Sequence, residues 1–187
     1  LERFDAISVR EYQGVDICRD IFKVNAQHVL DPTLLVGRDL FDSIITQDKV
    51  DKQEQNIVYY KLDRDEEFDE SLMFLEREFG CISENIYYYE ALIGNKKKYL
   101  YNSVPVWLAK IRDAKLVVTD SYHCVCFAIL FEKTFIYYPN QERGVARVES
   151  LLSILKISTK TIVSHSSDIV LSLPYIKLDY DKVDELL

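Results

Sequence analysis

Glycine is scarce, with five in 187 residues. No GxGxxG dinucleotide fingerprint and no phosphate-cradling P-loop is present, so a nucleotide held by a glycine-rich turn is not indicated. Cations are the minority charge: 23 Lys and Arg against 31 Asp and Glu leave a formal charge of −8. A chain this acidic has no general attraction for nucleic acid or an anionic membrane face, and an anionic substrate must be held by a few local basic groups. The four cysteines (Cys18, Cys81, Cys124, Cys126) form no framework of the kind small secreted domains use, which favours reduced thiols in a cytosolic setting. The longest apolar run near the middle, 125–131, is far too short to span a bilayer. The first residues carry no charged-then-apolar signal pattern and no initiator Met. They enter almost directly into a strand-like segment, which reads as a domain cut from a longer protein.

What is present is alternation. Residues 6–10 read as a strand, 12–22 as a helix, and 27–30 as a second strand stopped by Asp31-Pro32. The polar stretch 46–55 (TQDKVDKQEQ) is the best internal boundary, separating a first β-α segment (1–45) from a main part (56–187). In the main part, strands are expected at 56–62, 85–90, 115–120, 134–138 and 161–164. Helices are expected at 68–79 (closed by Gly80), 103–114 (capped by Ser103, with Pro105 in its first turn), 121–131, 145–155 and 179–187. Strands alternating with helices of ten to fifteen residues predict an α/β fold, Rossmann-like, with a mostly parallel sheet covered on both faces.

In such a sheet ligands gather beyond the C-terminal ends of the strands. The cleanest strand-to-helix junction is Val117-Val118 followed by Thr119-Asp120-Ser121-Tyr122-His123. Thr119, Asp120 and Ser121 offer N-cap oxygens, and the next helix's first N–H groups and dipole favour a phosphate or carboxylate. His123, in that first turn, can add a charge-assisted hydrogen bond or a proton. The plainer reading is that Asp120 and Ser121 cap a helix and His123 is a satisfied interior histidine. The His123-Cys124-x-Cys126 cluster suggests neither zinc nor a Cys–His nucleophile pair, because helix neighbours one apart point about 100° apart. Tyr87, Tyr88, Tyr89, Tyr99 and Tyr101 can stack on sugar rings or serve as ordinary strand aromatics.

The run from Trp107 through Val117-Val118-Thr119-Asp120-Ser121-Tyr122-His123 resembles the "WL..I..A..VvTDSFHG" signature of the polysaccharide pyruvyl transferase family. Ser8-Val9-Arg10-Glu11 and Val29-Leu30-Asp31-Pro32-Thr33-Leu34-Leu35 match its "SVRE" and "vlDPTlLl" segments. Phe131-Glu132-Lys133-Thr134-Phe135 matches "NKPF", and Arg147 through Leu152 matches "R..SLL". That family is similar in fold to two-domain glycosyltransferases of the GT-B type, and this chain corresponds to the C-terminal, donor-binding half. The resemblance implies transfer of a pyruvyl group from phosphoenolpyruvate to two hydroxyls of a sugar in a cell-surface polysaccharide or its lipid-linked precursor, giving a cyclic ketal.

By the same resemblance His123 contacts the donor phosphate and assists proton transfer, beside Thr119, Asp120 and Ser121. Lys133 matches the "NK" lysine, Arg143 and Arg147 are candidates for a bidentate grip on the donor carboxylate, and Arg10 is a further candidate. No cofactor, metal, nucleic-acid partner or membrane span is implied. The expected partners are phosphoenolpyruvate, a sugar or lipid-linked oligosaccharide acceptor, and an N-terminal acceptor domain of the same protein. The expected location is cytoplasmic, or peripheral at the inner membrane face. The family's Gly after the histidine is Cys124 here, where a Cβ and thiol intrude on a close backbone approach; the next Thr is Val125, and the Pro of "NKPF" is Thr134. A nucleotide-sugar glycosyltransferase domain and a catalytically silent family member are the alternatives.

Overall fold

The computed structural model describes residues 1, 3–52, 54–93, 96–139, 145–157, 160–162 and 173–176. Helices and strands alternate as β1 (Ser8–Val9), α1 (Tyr12–Asp20), β2 (Gln27–His28), α2 (Pro32–Val36), α3 (Arg38–Gln47), β3 (Ile57–Tyr60), α4 (Glu66–Phe79) and β4 (Ser83–Asn85). They continue as β5 (Tyr88–Ile93), β6 (Lys96–Tyr101), α5 (Val104–Asp113), β7 (Leu116–Thr119), α6 (Tyr122–Leu130), β8 (Phe135–Tyr137), α7 (Val145–Ile154), β9 (Lys160–Ile162) and β10 (Leu173–Ile176).

The main sheet runs β4-β3-β7-β8-β10-β9. Strands β4, β3, β7 and β8 are parallel, and β10 enters antiparallel between β8 and β9. Strand alternation divides the core. Ile57, Tyr59, Leu116, Val118 and Ile136 face α4 and pack on Phe68, Leu72 and Leu75. Val58, Val117, Phe135 and Tyr137 face the other way, onto α5, α6 and α7. Helices on both faces of a mostly parallel sheet are the expected α/β architecture, and strands buried on both sides explain the unbroken apolar runs that encode them.

Helix α6 is buried nearly all round, with Cys124, Val125, Cys126 and Ala128 fully enclosed. A helix apolar on every side belongs inside a layer. Its exposed position is His123. At the end of α4, Gly80 adopts the left-handed conformation (φ 63°) that closes the helix cheaply only without a Cβ.

Some expectations are corrected. The strand expected over 85–90 is two elements, because the Asn85 side chain accepts the Tyr87 N–H at 2.8 Å and turns the chain. A hairpin, β5-β6, follows, pairing Tyr88 with Tyr101 and Ile93 with Lys96. Asp31-Pro32 stops one element and starts another: Asp31 caps α2 by accepting the Thr33 N–H at 2.9 Å, and Pro32 is in its first turn. The expected boundary at 46–55 begins inside α3, which runs to Gln47. Helix α3 packs on α5 and α2 packs on α6, so the first segment lies against the main part. The helix expected at 179–187 lies outside the described residues. Among the described residues, no helix is long and apolar enough to cross a membrane.

Candidate active site

Strand β7 ends at Thr119, level with Tyr60 at the end of β3. The Thr119 hydroxyl donates to the Tyr60 carbonyl at 2.7 Å and accepts the Ser121 N–H at 3.0 Å. This locks the turn between β7 and α6. Ser121 is the N-cap of α6, its hydroxyl receiving the Cys124 N–H at 3.5 Å. Asp120, with a fully buried side chain, reaches across to the loop after β3. It accepts from Lys61 Nζ at 3.3 Å, from the Leu62 N–H at 2.9 Å and from the Asp63 N–H at 3.4 Å. The Lys61 ammonium also lies 5.1 Å from the Tyr138 ring centroid and 5.7 Å from that of Phe68. One buried ion pair therefore joins the C-terminal ends of two neighbouring strands.

That frame projects His123 outward, its side chain 56% exposed. Behind it stands a residue that sequence reasoning did not place in the site. Asp31 Oδ2 lies 3.9 Å from His123 Nε2, and the same carboxylate accepts from Arg10. The Arg10 guanidinium carbon also sits 5.5 Å from the Tyr122 ring centroid. Burial pushes the Asp31 carboxyl up, but the Thr33 N–H and the Arg10 guanidinium outweigh it and hold it below the ordinary carboxylate value. Asp31 is thus an anion shared by two cationic or potentially cationic groups at the mouth of the sheet. The parallel pair β1-β2 carries Arg10 and Asp31 on its following loops, and His28 Nε2 meets the Arg10 carbonyl oxygen at 3.2 Å. The signal for Asp31 was the Asp-Pro-Thr cap pattern itself. Lys61 had none, being a single lysine after a strand.

Arg147, on α7, places Nε 3.5 Å from Glu11 Oε1, next to Arg10 in the chain. The α1 terminus is tied to the same helix by the Tyr12 N–H, which donates to Ser150 Oγ at 3.2 Å. Arg10, His123 and Arg147 are therefore brought to one neighbourhood. Lys133 is not. It follows the C-terminal end of α6, separated from the His123 end by about 12 Å of helix. There it is half-buried, its ammonium pKa lowered by burial and only partly restored by Asp113. Arg143 lies outside the described residues.

The substituted position Cys124 does not crowd the mouth. Its side chain is fully buried and its thiol bonds to Thr119, with burial pushing the thiol up to about 12. Cys126 is likewise pushed up to about 12 by burial. Both thiols are neutral at physiological pH, which removes them as nucleophiles.

A cavity of about 370 Å³ opens at the same edge of the sheet. Tyr60 lines it from the end of β3, Trp107 from the first turns of α5, and Phe127 from α6 one turn beyond His123.

A family model described as polysaccharide pyruvyl transferase matches residues 1–142. No curated protein and no solved structure matches the chain.

Proposed function

The chain belongs to the polysaccharide pyruvyl transferase family, and on that premise we propose that its donor is phosphoenolpyruvate and its product a pyruvate ketal on a sugar. The observation that carries this reading is the position of His123. It is exposed on the first turn of α6, beyond the C-terminal ends of β3 and β7, with the Asp31 carboxylate 3.9 Å behind its Nε2. The Tyr122 and His123 N–H groups begin that helix and need acceptors from outside it. A phosphate held there meets the positive end of the helix dipole and a histidine whose Nε2 lies 3.9 Å from the Asp31 carboxylate. Arg10 and Arg147 supply guanidinium groups on the same side for the donor carboxylate. Thr119, Asp120 and Ser121, whose side chains bond within the protein, serve by fixing the turn that presents these donors.

The chemistry needs proton traffic at neutral pH. One sugar hydroxyl adds to C2 of the enol phosphate as C3 gains a proton. Inorganic phosphate then leaves C2, and the second hydroxyl closes the ring, releasing its proton. His123, as an imidazolium, donates to a phosphate oxygen as the C–O bond breaks. The overall balance is phosphoenolpyruvate plus a diol giving ketal plus inorganic phosphate.

Calorimetric titration with phosphoenolpyruvate tests the reading. His123→Ala should weaken binding by about 1.5–3 kcal/mol, the range for a hydrogen bond to a charged group, with an unchanged circular dichroism spectrum. Unaltered donor affinity in that variant would remove His123 from the site.

A further inference from the structure

The cavity that Phe127 lines, one turn along α6 from His123, has a composition that the donor does not explain. Among the described residues its lining contains no Asp, Glu, Lys, Arg or His, so an anion such as phosphoenolpyruvate finds no counter-charge among them. Its walls are a continuous chain of rings in contact. Tyr101 meets Tyr87 at 5.5 Å between centroids, Tyr87 meets Tyr60 at 5.1 Å, and Tyr60 meets Trp107 at 5.5 Å. Trp107 meets Phe127 at 5.3 Å, and Phe127 meets Phe41 at 4.9 Å. Most of these contacts are edge-to-face, an arrangement that leaves ring faces available to a guest. The rim ring, Tyr101, is 67% exposed.

The walls are also not purely apolar. Among the described residues, the Trp107 indole N–H is buried and has no acceptor, which is uncommon for a buried donor. Asn102, at the base of the hairpin, gives its Nδ2–H to the Ile86 carbonyl at 3.0 Å and keeps an amide oxygen as acceptor. Burial pushes the Tyr60 hydroxyl up, so it remains a proton donor. A lipid chain would cover these polar atoms without bonding to them, and a nucleotide would bring a charge the cavity cannot match. A pyranose ring meets every condition. Its C–H face stacks on aromatic rings, its edge carries both donors and acceptors, and it is neutral.

We propose that this cavity holds one neutral pyranose unit of the acceptor glycan, stacked on Tyr101 and Tyr87 and hydrogen-bonded to the Trp107 indole. The assignment deepens the transferase reading above and rests on it. Because Phe127 stands one helical turn from His123, a ring bound here extends a glycan toward the donor position.

Trp107 is the single tryptophan of the chain, so its fluorescence reports on the cavity without background. Titration with methyl β-galactopyranoside, methyl α-glucopyranoside and their neutral disaccharides should give a saturable emission shift for at least one of them, with a dissociation constant at or below ~10 mM. Tyr101→Ala, at a solvent-exposed position, should weaken that binding about tenfold. Trp107→Phe, followed by saturation-transfer NMR, should weaken it similarly while keeping an aromatic wall. Phosphoenolpyruvate affinity should be unchanged in Tyr101→Ala, and glycoside affinity unchanged in His123→Ala. Saturation by the glycoside without any phosphoenolpyruvate binding would support the cavity and remove the donor assignment instead. The proposal is overturned if no neutral glycoside shifts the emission, if a linear alkyl alcohol saturates the cavity and glycosides do not, or if Tyr101→Ala binds the glycoside as tightly as the parent.

Discussion

At the scale of single residues, Asp31 carries more than its place in the chain announces. It caps α2, accepts from Arg10 and backs His123 with one buried carboxylate. Burial opposes its charge, while the Thr33 N–H and Arg10 favour it more strongly and set its folded pKa below the ordinary 3.8. A depressed carboxyl pKa adds stability that is present in full above the unfolded value and is lost as pH falls through the folded one. Asp31→Asn should therefore cost about 1–3 kcal/mol at neutral pH by urea denaturation, and the gap from the parent should narrow in acid, below 3.8. A gap that stays constant from neutral pH down to about pH 2 would show that the Asp31 charge adds nothing to stability. His123 was legible in the sequence because a Thr-Asp-Ser run before a helix fixes the next residues in its first turn. Asp31 read only as the stop of a strand, and its contact with His123 gave no sign, since contact across 92 positions (123 − 31) is set by tertiary packing.

Elements differ in how plainly they are written. Helices α4, α5 and α6 and strands β3, β7 and β8 follow from apolar periodicity because their inward positions are buried on the sheet. Helix α3 has Leu40, Phe41, Ile44 and Ile45 at helical spacing, yet it lies within the stretch taken as one first segment. Strand β6 opens with Lys96, Lys97 and Lys98, and β10 contains Pro174, compositions that argue against strands until a neighbouring strand supplies the pairing. The join between β3 and β7 was the least legible, because it depends on Lys61 meeting Asp120 from 59 positions away. With side chains 3% and 0% exposed, this pair is one whose halves are costly to separate. Lys61→Met keeps the volume and removes the cation from a carboxylate that remains buried. The expected loss is about 3–5 kcal/mol in chemical denaturation, and a loss under ~1 kcal/mol would mean that Asp120 is held without the lysine.

Across the whole molecule, burial is unevenly distributed, and stability should follow it. Strand β7 is central, paired on both sides by β3 and β8, with Leu116, Val117, Val118 and Thr119 all fully buried. Opening it requires both apolar layers to separate. The β5-β6 hairpin forms its own two-stranded sheet, with Leu92 at 76% and Tyr99 at 60% exposure. Its base is anchored through Tyr87 against Tyr60 and Asn102 on the Ile86 carbonyl. A two-stranded hairpin is marginal in water by itself, so its outer amides should exchange by local opening, while those of β7 wait for global unfolding. Deuterium exchange read by mass spectrometry should show peptides from 88–101 taking up label at least about 100-fold faster than peptides from 116–119, equivalent to ~3 kcal/mol in opening free energy. A saturating neutral glycoside should slow exchange at Tyr87 and Tyr101, where the hairpin meets the aromatic cavity, and leave β7 nearly unchanged. Equal protection of hairpin and central strand in the free chain would mean that the hairpin is held by packing along its length, and that the cavity is closed rather than open to a sugar.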